Sequence, residues 1–295
     1  MLSVLIPTYN YNVFPLVKEL HTQCVACTID FEIICFDDAS ELFIEENKNI
    51  STLSFCRVEF LEKNAGRSMM RNSLAEAAKY DWLLFLDADT LPVKHDFIAN
   101  YVHHLSGKSD IIYGGILYES ATPEKQNLLR WVYGRNREAL PVHKREKHPY
   151  LSFLTLNFFI RKTVFEQVKF NEALPNLRHD DTLFSFELKQ TKIPLQHIEN
   201  PVYHLGLETS EVFLKKSQES VTALQFLMEQ ELIDMDYLKL SRYFNRIRKS
   251  GMRPVFTFIF VSFGKRMQKN LVSGHPNLFL FDLYRLSYLC YLYKK

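Results

Sequence analysis

Cysteine is scarce in this 295-residue chain, and its placement is uneven. The five cysteines, Cys24, Cys27, Cys35, Cys56 and Cys290, do not make a disulfide framework. Cys24 and Cys27 form a CxxC, but no second pair completes a zinc site, so reduced, buried thiols of a cytoplasmic protein are expected. Long apolar runs are missing too: Val255–Phe263 (VFTFIFVSF) is nine residues, too short to cross a bilayer. The N-terminus enters a short apolar strand without a basic region or cleavage site, so a signal peptide is not expected. The loop PTYNYN lacks the glycine-rich signature and catalytic lysine of a nucleotidyltransferase. No DNA or RNA module is recognisable, and nucleic acid is not an expected partner. Internal repeats and low-complexity segments are absent.

With 47% hydrophobic and 24% charged residues, the chain reads as globular, one domain with an appendage. The formal charge of +2 conceals a split. From Lys239 onward there are twelve Lys/Arg and a single acid, Asp282, whereas the first 238 residues carry 24 Lys/Arg and 33 Asp/Glu. Such asymmetry points to different partners for the two parts.

Leu2–Ile6, Phe31–Phe36, Val58–Leu61 and Trp82–Leu86 are continuous apolar runs, as strands covered on both faces would be. In Arg67–Lys79, Met70, Leu74 and Ala77/Ala78 recur on one helical face. Alternating strand and helix predicts right-handed crossovers and a parallel sheet. Ligands of such sheets bind beyond the strands' carboxyl ends. The residues there, Thr8, Tyr9, Asn10, Asp37, Asp38, Asn64, Asp87 and Asp89, are therefore expected on one rim. Downstream, Asp110–Ile116 is a further expected strand, Lys125–Glu138 a helix and Val142–Pro149 a basic loop. Ser152–Ile160 is an expected strand, Leu177–Leu188 carries HDDTLF and a helix start, and Val202–His204 ends the last strand. Everything from Thr209 reads as helix.

Asp87-Ala88-Asp89 follows a strand, and alternate residues of an extended backbone point the same way. Two carboxylates so placed suit a hard divalent cation completed by substrate phosphates; the alternative is a turn cap at Asp89 and a solvated Asp87. Four acids on one rim would repel unless a cation or donors intervened. Asn64-Ala65-Gly66-Arg67, with Arg71 one turn on, makes a candidate anion site, or a plain helix surface. In His179-Asp180-Asp181 either Asp is a candidate N-cap or a general base for a hydroxyl. His204 is a candidate ligand or a satisfied core histidine.

SVLIPTYN at Ser3–Asn10, CFDDAS at Cys35–Ser40, NAGRSMMRN at Asn64–Asn72 and FLDADT at Phe85–Thr90 stand in the order and spacing of the family 2 glycosyltransferases. NFFIRKTVFEQVKFNE (Asn157–Glu172), HDDTLFSFEL (His179–Leu188) and PVYHLG (Pro201–Gly206) resemble that family's acceptor half. The resemblance covers about residues 1–206, and its specificity lies in the seven segments together. It implies an α/β, GT-A fold, a Rossmann-like mixed sheet flanked by helices, with a C-terminal helical appendage. Residues 1–206 would be catalytic, 1–116 holding nucleotide sugar and 117–206 acceptor, and 207–295 helical. Pro7, Thr8, Tyr9 and one of Asp37 and Asp38, with Asp38 the better match, would hold base and ribose. Asn64, Gly66, Arg67 and Arg71 would contact nucleotide and diphosphate. Asp87, with Ala88, would face ribose or sugar. Asp89, with Asp87 and His204, would coordinate Mn²⁺ or Mg²⁺. The family's Glu-Asp pair appears as Asp180-Asp181, which leaves the base open between them, with Asp181 matching the pair's aspartate. The implied reaction is inverting transfer from a nucleotide sugar, a UDP-sugar by family preference, to a glycan or lipid-linked saccharide. A non-catalytic nucleotide-sugar-binding subunit is the alternative that the intact acid set argues against.

From Lys239 the twelve basic residues alternate with twelve Phe/Tyr, and the segment closes on Lys294-Lys295. Basic residues beside aromatic helices suit a surface-lying membrane helix near anionic lipid. Residues 239–295 are thus an expected membrane contact, peripheral on the inner face; a solvated helical hairpin is the alternative.

Overall fold

Both faces are covered at Leu2–Ile6, Phe31–Phe36 and Trp82–Leu86, which explains their unbroken apolar runs, whereas Val58–Leu61 stays partly exposed. The computed structural model describes residues 1–105, 107, 109–173 and 178–293; Leu177, Lys294 and Lys295 lie outside them. Strands are β1 Leu2–Thr8, β2 Phe31–Asp37, β3 Cys56–Phe60, β4 Trp82–Leu86, β5 Thr90–Pro92, β6 Ile111–Tyr113, β7 Ile116–Leu117, β8 Asn157–Arg161, β9 Leu195–His197 and β10 Val202–His204. Helices are α1 Phe14–Ala26, α2 Ile44–Lys48, α3 Arg67–Ala77, α4 Phe97–Val102, α5 Leu128–Tyr133, α6 Val142–Arg145, α7 Lys162–Val168, α8 Asp180–Thr191, α9 Ser210–Glu229, α10 Lys239–Lys249, α11 Arg253–Leu271 and α12 Leu278–Leu292.

Seven strands form one sheet in the order β3-β2-β1-β4-β8-β6-β9, and β5-β10-β7 form a second. The sheet is mixed, as the resemblance implies: β3, β2, β1 and β4 run parallel, as their alternation with helices predicts, and β8 runs antiparallel to both β4 and β6. Cross-strand pairs fix that reversal: Phe85 stacks on Phe158 with centroids 4.7 Å apart, and the Arg161 guanidinium lies 4.5 Å from the Trp82 ring. The strand starts at Asn157 because Tyr150–Ser152 is a short helical turn. The basic loop expected at Val142–Pro149 instead opens with α6. The strand expected at Asp110–Ile116 breaks into β6 and β7 at Gly114–Gly115. A side chain at Gly114 would collide with the Tyr101 hydroxyl and the Asn157 amide. Gly115 has φ +99°, where L side chains are strained.

The chain divides into two compact units. One comprises Met1–Leu117, Ala139–Asn176 and Asp180–Gly206. Its core gathers Leu5, Ile34, Leu83, Phe85, Phe158, Phe165 and Phe184. The other comprises Tyr118–Glu138, Leu177–His179 and Leu207–Lys295, with a core of Leu129, Leu214, Met267, Leu271, Phe281 and Tyr284. Tyr118–Glu138, expected in the acceptor half, thus clusters with the C-terminal helices. Among the described residues no helix is long and apolar enough to cross a membrane, and the five cysteines are free.

Candidate active site

Parallel pairing aligns the ends of β1 and β2, so Thr8 lies opposite Asp37. Asp37 Oδ1 accepts a hydrogen bond from the Ser40 N–H at 2.8 Å. Asp37 Oδ2 and Thr8 Oγ1 are buried and make no hydrogen bond among the described residues. Two such atoms in register carry a desolvation cost that a polar ligand would relieve.

Asp38, the acid expected to read the base, also braces the loop before α3. Its Oδ1 accepts from the Ala65 N–H at 2.6 Å and its Oδ2 from the Gly66 N–H at 3.1 Å. The Asn64 amide donates to the Asp38 carbonyl at 3.1 Å. These bonds tie the loop before α3 to the end of β2. Gly66 caps α3 at φ +86°, a backbone conformation that favours glycine.

α3 carries both expected arginines, in unlike environments. The Arg67 side chain is 44% exposed and reaches Asp180 Oδ1 at 3.3 Å. That of Arg71 is only 5% exposed, and its guanidinium lies 5.3 Å from the Phe170 ring. Arg71 Nη2 donates to Asp87 Oδ1 at 2.7 Å, and its Nη1 lies 3.7 Å from Asp180 Oδ2. Burial raises the Asp87 pKa more than the guanidinium lowers it, and Asp89 adds to the rise.

The extended backbone expected through Asp87-Ala88-Asp89 is corrected by a turn. Both the Thr90 N–H and its hydroxyl donate to the Asp87 carbonyl, at 3.2 and 2.7 Å. The turn sends the two carboxylates apart, Asp87 to Arg71 and Asp89 to His204, whose Nε2 lies 3.3 Å from Asp89 Oδ2. Antiparallel pairing of β10 with β5 sets His204 opposite Thr90 and Tyr203 opposite Leu91. The Leu205 N–H then bonds the Asp89 carbonyl at 2.8 Å. Among the described residues no group of three acids, histidines or cysteines forms a metal cage. The expected trio of Asp89, Asp87 and His204 is therefore a close pair and a separate, arginine-bound acid. The pair fits a divalent ion that takes few protein ligands. Space beside it is kept by Gly206, where a Cβ would strike Asp89 Oδ2.

Asp180 and Asp181 open α8, behind His179 at φ +91°. Asp180 is taken up by the two arginines. Asp181 Oδ1 accepts from its neighbour Thr182 N–H at 2.7 Å. Burial first, and the charge of Asp180 second, push the Asp181 carboxyl up to about 6.

A cleft of about 220 Å³ is lined by Pro7, Thr8, Tyr9, Asp38, Arg67, Arg71, Asp87, Ala88 and Asp89, all expected from sequence. Tyr11 and Met70 also line it and were not anticipated. The repeat of tyrosine in PTYNYN and the place of Met70 between the arginines were the available signals. Asp37, Asn64 and Gly66 stand behind the wall, fixing its loops. Asp180 joins the cleft through Arg67 and Arg71, and His204 joins it through Asp89.

A cleft edged with cations and acids beyond parallel strand ends defines an α/β enzyme site for a phosphorylated ligand. The family model described as Glycosyl transferase family 2 matches residues 3–169, more than half of the chain, and the chain belongs to that family of GT-A glycosyltransferases. A Haemophilus influenzae protein described as an uncharacterized glycosyltransferase is 30% identical over 141 residues, 43% of this chain and 46% of that protein. The match thus spans less than half of that relative's length. Among solved structures, the mannosyltransferase PcManGT from Pyrobaculum calidifontis, in complex with GDP-Man and Mn2+, is similar at a TM-score of 0.55 and 12% identity, over all of this chain and 87% of that one. S. aureus TarS 1-349 is similar at 0.50 and 17% identity, over all of this chain and 92% of that one. At these identities the likeness concerns the fold.

Proposed function

We propose that the chain transfers a sugar, with inversion, from a nucleotide-diphosphate donor to a hydroxyl of a glycan or lipid-linked saccharide. The observation that carries this reading is the reach of Arg71. One buried guanidinium bonds Asp87 in the cleft and lies beside Asp180, so donor cleft and acid pair form one site. Thr8 and Asp38 hold ribose or base from the cleft wall, while Asp37 behind it fixes the loop through the Ser40 N–H. Arg67 and Arg71 offer charge to the diphosphate. Asp89 and His204 would hold Mn²⁺ or Mg²⁺, and the PcManGT complex with GDP-Man and Mn2+ supports that choice for this fold. Such an ion supplies Lewis-acid neutralisation of the departing diphosphate.

Asp181 is the base. With its carboxyl pushed up to about 6 it is ionised at neutral pH yet still basic, the range in which general bases work well. It takes the proton of the incoming hydroxyl as that oxygen bonds the anomeric carbon. The bond from the anomeric carbon to the diphosphate oxygen breaks, and the nucleoside diphosphate leaves. Asp180, held by two guanidiniums, orients α3 against α8. A uridine donor follows from family preference alone.

The test is turnover across a nucleotide-sugar panel with saturating Mn²⁺, for the natural chain and for Asp89→Ala. Loss of nucleoside diphosphate release in the variant is expected; undiminished release defeats the metal assignment. We also place the enzyme in the cytoplasm, peripheral on an anionic membrane face through α10 and α11. Val255 is 51% exposed, and Phe258 and Val261 are each 65% exposed. Arg242, Arg246, Arg248 and Lys249 are exposed along α10. Sedimentation with anionic liposomes, weakening as salt rises, is expected; no binding at low salt rules this out.

A further inference from the structure

A cavity with a mixed lining lies in the C-terminal unit, and the reaction above makes no use of it. It encloses about 630 Å³, the size of a pocket that takes one organic ligand. Phe256, Phe279, Leu283 and Leu286 supply hydrocarbon, and Tyr133 and Tyr243 add aromatic faces. Arg137, Lys239 and Arg285 bring three cations against one acid, Asp282. That acid is already committed, since Arg137 Nη2 donates to Asp282 Oδ2 at 2.7 Å. Lys239 and Arg285 are the surplus charge.

Arg285 is the telling residue. It is half-buried, its guanidinium lies 5.4 Å from the Phe281 ring, and its Nε is buried without a hydrogen bond among the described residues. A desolvated donor of this kind is costly unless an anion completes it. A second cleft of about 460 Å³, lined by Ile259, Phe263, Met267 and Leu280, shares Leu283 with the first.

We propose that this cleft binds one lipid phosphate. Its hydrocarbon chain lies along Phe256, Phe279 and Leu283, and its phosphate sits on Arg285 with Lys239 beside it. A free phosphate would make no use of the apolar walls. An uncharged amphiphile would leave Arg285 as it is. A sugar would meet too few polar groups. The site differs from the proposed membrane-facing surface, because Phe256 lines the cleft whereas Val255, Phe258 and Val261 of the same helix are exposed.

Isothermal titration of the full chain with monomeric dodecyl phosphate tests this without bilayer, donor sugar or turnover, so its failure is separable from that of the transferase reading. One-to-one binding is expected, and Arg285→Gln should weaken it about tenfold or more, the worth of a charge-assisted hydrogen bond. Arg285→Lys should restore most of the affinity. Phe256→Ser and Lys239→Gln should each weaken it, which keeps the test open if Arg285→Gln fails to fold. Absence of binding, equal binding of dodecyl maltoside, equal binding of inorganic phosphate, or full affinity in folded Arg285→Gln would each overturn the proposal.

Discussion

Replacing Asp181 by Asn should abolish transfer and stabilise the protein at the same time. The folded carboxyl titrates at about 6 against an ordinary value of 3.8. The folded state therefore holds the proton more tightly than the unfolded chain, and ionising the group costs stability. That cost is absent below about pH 4, grows between about 4 and 6, and stays constant above. At about 1.36 kcal/mol per unit its ceiling is about 3 kcal/mol. Part of the side chain touches solvent, so about 1–2 kcal/mol is the expected value. Asparagine keeps an oxygen for the Thr182 N–H and discards the charge beside Asp180. Urea unfolding should show Asp181→Asn more stable by about 1–2 kcal/mol at pH 8, with the gain gone near pH 4. Turnover should fall by about 10²–10⁴, and the natural enzyme's rate should rise with pH through about 6. A variant less stable at pH 8, or one that transfers sugar normally, would refute the assignment. A helix cap alone would give the first of those outcomes.

Arg71→Met strips the counter-charge from Asp87 and Asp180. Breaking a buried pair costs about 3–5 kcal/mol, and the 33% exposure of the Asp87 side chain puts the expectation near the lower end. Denaturant midpoints should show that loss at about pH 8 and a smaller one at acid pH, as the stranded Asp87, already raised by burial, takes up its proton; a pH-independent loss would contradict it. Asp38→Ala leaves two amides unpaired, so a loss of about 1–3 kcal/mol should accompany weakened nucleotide binding by calorimetry. Gly206→Ala should leave the unfolding midpoint nearly unchanged but displace Asp89 from His204. The Mn²⁺ concentration for half-maximal rate should then rise severalfold, and an unchanged value would remove Gly206 from the site.

Local signals in the sequence reached β1, β2, β4 and β10 because each is a short apolar run closed by polar residues. Adjacency of strand ends then placed Thr8, Asp37 and Asp89 on one rim. The direction of β8 was not legible, since it depends on stacking between Phe85 and Phe158, residues far apart in the chain. The turn at Asp87–Thr90 also escaped. Its hydrogen bonds come from Thr90, which reads as an ordinary strand residue. Arg71, one turn after Arg67, reads as an anion-site or a surface arginine; its burial follows from Phe170 and the acids of α8, which no helical period on α3 could reveal. Asp38 matches a base-reading acid by position, and its bonds to the backbone of Ala65 and Gly66 were not legible in the sequence. Composition likewise could not assign Tyr118–Glu138 to the C-terminal unit. That grouping depends on contacts such as the Leu129 N–H to the Ser210 hydroxyl, at 3.1 Å.

Three residues of β10 deliver an imidazole to a carboxylate more than a hundred positions earlier in the chain. Side chains along a strand alternate, so inserting one residue into the connection between β9 and β10 would bring the Tyr203 phenol where the imidazole now stands. Loop length there thus governs the approach of His204 to Asp89 as much as the histidine itself does, and swaps of this segment between homologues should conserve parity before they conserve composition.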